Sequence, residues 1–288
     1  MLRFFASMQS EEIMEKFYEI KKRILEYARK DEEIKAIVAV GSYTRKDVKA
    51  DEFSDLDLCV VTSNAEKWYS GEYPKLFGKL SVSFIEPTLG GGKEVRCIYD
   101  DDKDVDMVIF APEHFEALVK EGVAECVMNR GYDVLYDSMG CAELLGKHIK
   151  PGRSNPTISE AEFVNTVNDF YFHNIWASKK LKRGELWSAK MCVDSYLKYR
   201  LLRMLELYRY KSCSIDVWHD GRFLEKWAGD EILEELKMCF AHYDEEDVRN
   251  ALVATHKLFE KISEKLAAME GFEYPAQTKN CAKLYLGI

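Results

Sequence analysis

Two apolar runs, residues 37–40 and 58–61, flank a short charged stretch, and this pair constrains the chain more than any other feature. The first run ends at Gly41-Ser42; Ser54-Asp55-Leu56-Asp57 opens the second. Read as a strand from 55 to 61, the second run sends successive side chains to opposite faces. Asp55 and Asp57 then share one face while Leu56 and Leu58 enter the core. Carboxylates about 7 Å apart along one strand face repel each other. A hard divalent cation makes such a pair favourable, and magnesium takes oxygen ligands of this kind while sharing substrate phosphates. The Gly-Ser turn supplies a second half: at a strand end, opening a helix, it offers backbone N–H groups and a hydroxyl to a phosphate. Either half alone is common as a turn or a solvated strand end. Together they describe a nucleoside triphosphate with its magnesium. The Walker arrangement is excluded, because no Gly-Lys-Ser/Thr occurs.

The chain has 288 residues, enough for one large or two ordinary domains, and apolar residues make up 47% of it. A net charge of −9 argues against a nucleic-acid partner held through its phosphates, which needs a basic surface. It suits a cationic small molecule. Eight scattered cysteines with no Cys-x-x-Cys pair disfavour zinc and fit reduced thiols in a cytoplasmic protein. No apolar run approaches the ~18 residues that cross a bilayer, so no membrane span is expected. The opening Met1-Leu2-Arg3-Phe4-Phe5 is too short for a signal-peptide core and reads as a disordered leader or a lip on the first helix.

Periodicity predicts a helix capped by Ser10 and running to about Lys30, with Ile13, Phe17, Ile20 and Ile24 at helical spacing. A strand over 34–40 follows. The charged stretch after Gly41-Ser42 can hold a short helix. Strands are expected over 79–86, 95–99 and 104–110, with the glycine triplet 90–92 as a hairpin turn rather than a phosphate loop. On the strand 104–110, Asp104 and Asp106 share a face opposite Val105 and Met107. Pro151-Gly152-Arg153-Ser154-Asn155-Pro156 is the clearest linker, giving domains 1–152 and 153–288. Beyond it strand signals stop. A long helix from Glu185 to about Tyr210, helices near 222–228, 231–240 and 245–269, and an extended tail from Gly271 describe a helical bundle. The fold class is therefore α+β: a mixed sheet with flanking helices, then an all-helical domain.

Gly41-Ser42, Arg45 and Ser54-Asp55-Leu56-Asp57-Leu58 resemble the signature of the polymerase-β-like nucleotidyltransferase superfamily. Four segments of the second half sharpen the likeness: Asp169-Phe170-Tyr171, the run from Lys180 to Lys190, Leu201-Leu202-Arg203-Met204-Leu205-Glu206 and Gly271-Phe272-Glu273-Tyr274-Pro275. They are similar to the aminoglycoside (streptomycin) 6-adenylyltransferase family over nearly the whole chain. The chain departs from that family where Tyr43 follows Gly-Ser in place of arginine, and where Phe53-Ser54 precedes the acidic pair in place of Phe-Gln. The resemblance implies transfer of AMP from ATP to a hydroxyl of an aminoglycoside such as streptomycin, with magnesium. Asp55 and Asp57 would hold the magnesium that bridges the triphosphate, and Asp106 with both would complete a second metal position beside the acceptor hydroxyl, with Asp104 the alternative third ligand. Gly41, Ser42, Arg45 and Lys190 would contact the nucleotide. Glu185 is the first candidate general base, Asp106 the second and Glu86 a weaker third. Tyr171, Trp176 and Trp187 at helical spacing read as core more readily than as sugar platforms. Competing readings are a nucleotidyltransferase acting on another metabolite or a protein, and a non-catalytic nucleotide-binding module.

Overall fold

The computed structural model of the protein describes residues 16–45, 47–88, 91–153 and 155–288. The expected cap at Ser10, Ile13, the leader 1–5 and the first residues of the 89–92 turn lie outside them. The backbone divides into two compact units at 154/155.

In the first unit, helix α1 (Tyr18–Ala28) buries Ile20, Ile24 and Ala28 along one stripe. It leads into β1 (Ile34–Val40), a single turn of 3₁₀ helix (Gly41–Tyr43) and β2 (Leu56–Thr62). The charged stretch forms no helix among its described residues beyond that turn, which corrects the expectation of one there. Hydrogen bonds from Ser54 Oγ and the Phe53 amide to Asp51 fold it into a local turn instead, as short polar side chains do outside helices. One-turn helices at Glu66–Tyr69 and Pro74–Phe77 precede the hairpin β3 (Leu80–Pro87) and β4 (Lys93–Tyr99). Then come β5 (Lys103–Phe110), helix α2 (Pro112–Lys120), a turn of helix at Glu125–Met128, β6 (Asp133–Asp137) and helix α3 (Cys141–His148).

The six strands form one mixed sheet in the order β3-β4-β5-β2-β1-β6. β2 and β5 run parallel; the other neighbours are antiparallel. Alternation sorts the faces. Leu56, Leu58 and Val60 of β2 and Val105, Met107 and Ile109 of β5 pack with α1, Trp68, Tyr73 and Phe77. Cys59, Val61 and Phe110 point the other way, into a second layer with Phe115 and Val119 of α2 and Leu145 of α3. Each large side chain buried this way stabilises the unit by roughly 1.5–3 kcal/mol. β3 is an edge strand exposed along both faces.

The second unit is all helical. Helix α4 (Glu160–Lys182) starts at a capping box in which Ser159 and Glu162 satisfy each other's backbone N–H groups. The helix expected over 185–210 is broken. It consists of α5 (Leu186–Met191), one π turn (Cys192–Tyr196) and α6 (Leu197–Cys213). A turn of helix at Leu224–Trp227, α7 (Asp230–Lys237), α8 (Glu245–Glu270) and α9 (Ala276–Leu286) complete it. The tail is thus extended only to Pro275, where Tyr274 bonds Tyr171 and Ser263 at 2.7 and 2.9 Å. Phe170 and Phe259 stack at 3.5 Å between α4 and α8. All eight cysteines are free thiols. Among the described residues no helix is long and apolar enough to cross a membrane.

Candidate active site

Cross-strand register places the site. Reading across the sheet, Val40 of β1 pairs with Asp57 of β2, Asp57 with Asp106 of β5, Asp106 with Arg96 of β4, and Arg96 with Phe84 of β3. Residues paired in this way present side chains to one face. Asp57 stands one step before Cys59 and Val61 on that face, just short of the layer that α2 and α3 bury. Three carboxylates meet there: oxygens of Asp55, Asp57 and Asp106 lie within 4.8 Å of one another. Asp106 is 4% exposed, and Asp55 and Asp57 are half-buried.

Such crowding is costly. Burial, followed by the charges of Asp55 and Asp106, pushes the Asp57 carboxyl up to about 7, with Arg45 opposing the rise. At Asp106 burial also raises the carboxyl, and bonds from Arg96 work against it. Opposed carboxylate oxygens at this separation are a donor set for a hard divalent cation.

The Gly-Ser turn bears directly on the acidic cluster. Gly41 has φ +74°, and a Cβ there would lie 1.9 Å from Asp57 Oδ2. Only glycine satisfies both the backbone angle and the space. Ser42 is buried and its hydroxyl donates to the Asp55 carbonyl at 3.4 Å. Thr44 clamps the turn by donating to the Gly131 carbonyl at 2.9 Å. Gly131 permits that approach, since a Cβ on it would sit 2.1 Å from the Thr44 carbonyl oxygen. Tyr43 packs edge-on against Phe17, ring centroids 5.5 Å apart.

Of the predicted residues, the structure brings together Gly41, Ser42, Asp55, Asp57 and Asp106, with Arg45 acting on Asp57 through its charge. Asp104 is exposed on the same strand face. Glu185 and Lys190 belong to the helical unit. Glu185 is bonded to Lys180 at 2.5 Å and Arg183 at 2.8 Å, and these cations pull its carboxyl down. Lys190 bonds Asp194 and the carbonyl of Ala241. Tyr171 is wholly buried and Trp176 partly so. Trp187 is 68% exposed, against the reading of all three aromatics as core.

Sequence reasoning missed two neighbours. Arg96 grips Asp106 with Nε at 3.0 Å and Nη2 at 2.6 Å, and its Nη1 reaches Glu86 at 3.1 Å. Glu94, two residues earlier on the same face of β4, is half-buried. Its carboxyl is raised by burial and then by the charge of Asp106. The alternation Glu94-Val95-Arg96-Cys97 does separate a charged face from an apolar one. Which strand lies beside β5 is the missing piece.

A mixed sheet holding a Gly-Ser turn against carboxylates from two adjacent parallel strands, with an all-helical unit after it, is the build of a nucleotidyltransferase. The profile of the streptomycin adenylyltransferase family matches residues 14–287, and the chain belongs to that family of adenylyltransferases. An aminoglycoside 6-adenylyltransferase of Bacillus subtilis (strain 168) is 20% identical over 278 residues, 92% of this chain and 94% of that one. One from Staphylococcus aureus is 22% identical over 277 residues, 91% and 94% of the two chains. A crystal structure of an aminoglycoside 6-adenyltransferase from Bacillus subtilis aligns over 93% of this chain and 97% of that one, with 17% identity and a TM-score of 0.45.

Proposed function

We propose that the protein transfers AMP from ATP to a hydroxyl of an aminoglycoside such as streptomycin, with magnesium, releasing pyrophosphate. The observation that carries this reading is the meeting of Asp55, Asp57 and Asp106 beside the Gly41-Ser42 turn. The acceptor oxygen forms a bond to the α-phosphorus, the bond from that phosphorus to the bridging oxygen breaks, and pyrophosphate leaves. Charge gathers on phosphoryl oxygens, so catalysis is chiefly positioning and electrostatics. Asp55, Asp57 and Asp106 would hold the magnesium, which supplies charge stabilisation to those oxygens. Backbone N–H groups of the turn and the Ser42 hydroxyl would hold the β- or γ-phosphate, with Arg45 nearby.

The hydroxyl proton needs an acceptor. Glu185 is committed to two cations, and Asp106 is assigned to the metal with Asp55 and Asp57. Glu94 has no hydrogen-bond or ion-pair partner among the described residues and a raised carboxyl, which suits a general base. The net charge of −9 favours a cationic acceptor over nucleic acid. Reduced thiols suit a cytoplasmic setting.

The test is pyrophosphate release from ATP and magnesium across a panel of aminoglycosides. Release dependent on streptomycin, falling to background in Asp55→Asn with an unchanged circular dichroism spectrum, is the expected result. Release independent of every aminoglycoside, or equal in wild type and variant, overturns it.

A further inference from the structure

Two adjacent carboxylate-bearing strands invite a pair of metal ions, one shared by all three aspartates and one resting on Asp106. The geometry around Asp106 points elsewhere. We infer that the Arg96 guanidinium is the resident second cation of the site, so that the protein takes one divalent ion per chain where three carboxylates would otherwise admit two. This deepens the functional reading above and rests on it.

Three observations support the inference. First, register fixes Arg96 on the side of Asp106 opposite Asp57, since β5 lies between β4 and β2. Asp106 thus has an acidic partner on one flank and a cation on the other. Second, the contact is a two-point fork: Nε to Oδ1 at 3.0 Å and Nη2 to Oδ2 at 2.6 Å. A planar guanidinium matched to a carboxylate in this way uses one lone pair on each oxygen and fixes the plane of the group. One lone pair per oxygen remains for an ion shared with Asp55 and Asp57. Third, Arg96 is anchored at its far side as well, by Nη1 to Glu86 at 3.1 Å. Swinging clear of Asp106 would leave a 4%-exposed carboxylate without the two hydrogen bonds that Arg96 gives it. A second divalent ion would have to displace a fixed, charge-matched group. Arginine also keeps its proton throughout the accessible pH range, so the substitute cation is permanent.

The experiment counts ions directly and does not read turnover. Manganese, as an EPR-visible substitute for magnesium, is titrated into the full chain with α,β-methylene-ATP, which cannot be cleaved at the reacting bond. Wild type is expected to bind one manganese per chain. Arg96→Met removes the charge at similar length and is expected to bind two, the second lost again when Asp106→Asn is added. Arg96→Lys keeps the charge and is expected to bind one. Two ions on wild type, or one on a folded Arg96→Met, overturns the inference; the wild-type count decides by itself if Arg96→Met does not fold. Asp57→Asn separates the two levels. Manganese absent from wild type, or bound equally by wild type and Asp57→Asn, overturns the functional reading and this inference together, whereas two ions on wild type overturns this inference alone.

Discussion

Gly41 carries two requirements at one position: a left-handed backbone angle and room for the Asp57 carboxylate. Gly41→Ala violates both, and either the turn or the aspartate must move. Misplacing reacting groups by about an ångström costs on the order of a hundredfold in rate. Gly41→Ala is therefore expected to lower adenylyl transfer by at least roughly that factor, measured as pyrophosphate release. A second residue-scale prediction concerns His256, wholly buried on α8. Burial pushes its imidazole down to about 4; Glu260 pulls it up, and Lys283, Lys257 and Lys279 push it further down. The folded value is thus below the unfolded one. Above about pH 6.5 both states are neutral and the stability is complete; as pH falls toward 4 the unfolded state takes a proton that the folded state refuses, and stability is lost. The loss amounts to about 3 kcal/mol at most. Urea denaturation between pH 7 and 4 should show a decline in wild type that is smaller in His256→Gln. His256 lies on the buried stripe of α8, four residues after Leu252 and three before Phe259, and Asn174 of α4 meets its Nδ1 at 3.2 Å.

Five of the six strands are legible in the chain, β6 (Asp133–Asp137) being too short to show its alternation, and the reason is physical. Strand alternation has a period of two and survives in segments as short as β2, where Leu56, Leu58 and Val60 alternate with Asp57 and Cys59. Helix continuity depends on packing. The break at Cys192–Tyr196 adds a residue to one turn without any glycine or proline to announce it. Helix α9 follows Pro275 and buries only Ala282 fully, so its apolar stripe is faint in sequence. Starts are better marked: Ser159 and Glu162 have the spacing of a capping box, and the structure forms it. Ser159→Ala removes one acceptor from the first turn of α4 and should destabilise the helical unit by about 1 kcal/mol. Its denaturation midpoint against wild type checks this. Asp244, whose side chain accepts from the Asp247 amide, caps α8 in the same way.

At the scale of the whole molecule, each unit has its own buried cluster: the helical one around Phe170 and Phe259, the other two on either face of the sheet. We propose that the units are separate domains joined by the proline- and glycine-bearing segment near 154. Limited proteolysis should cut within about residues 150–158 and leave two resistant fragments; cleavage first inside the sheet would contradict the proposal. The sequence by itself determined the class of fold, the Gly41-Ser42 turn and the face on which Asp55, Asp57 and Asp106 lie, because glycine chemistry and strand alternation are local rules. Tertiary structure alone decided that β5 runs beside β2 and β4 beside β5, and with that the convergence of the aspartates, the grip of Arg96 and the nearness of Glu94. Strand order is set by long-range burial and hydrogen bonding between segments distant in the chain, and no local pattern encodes it.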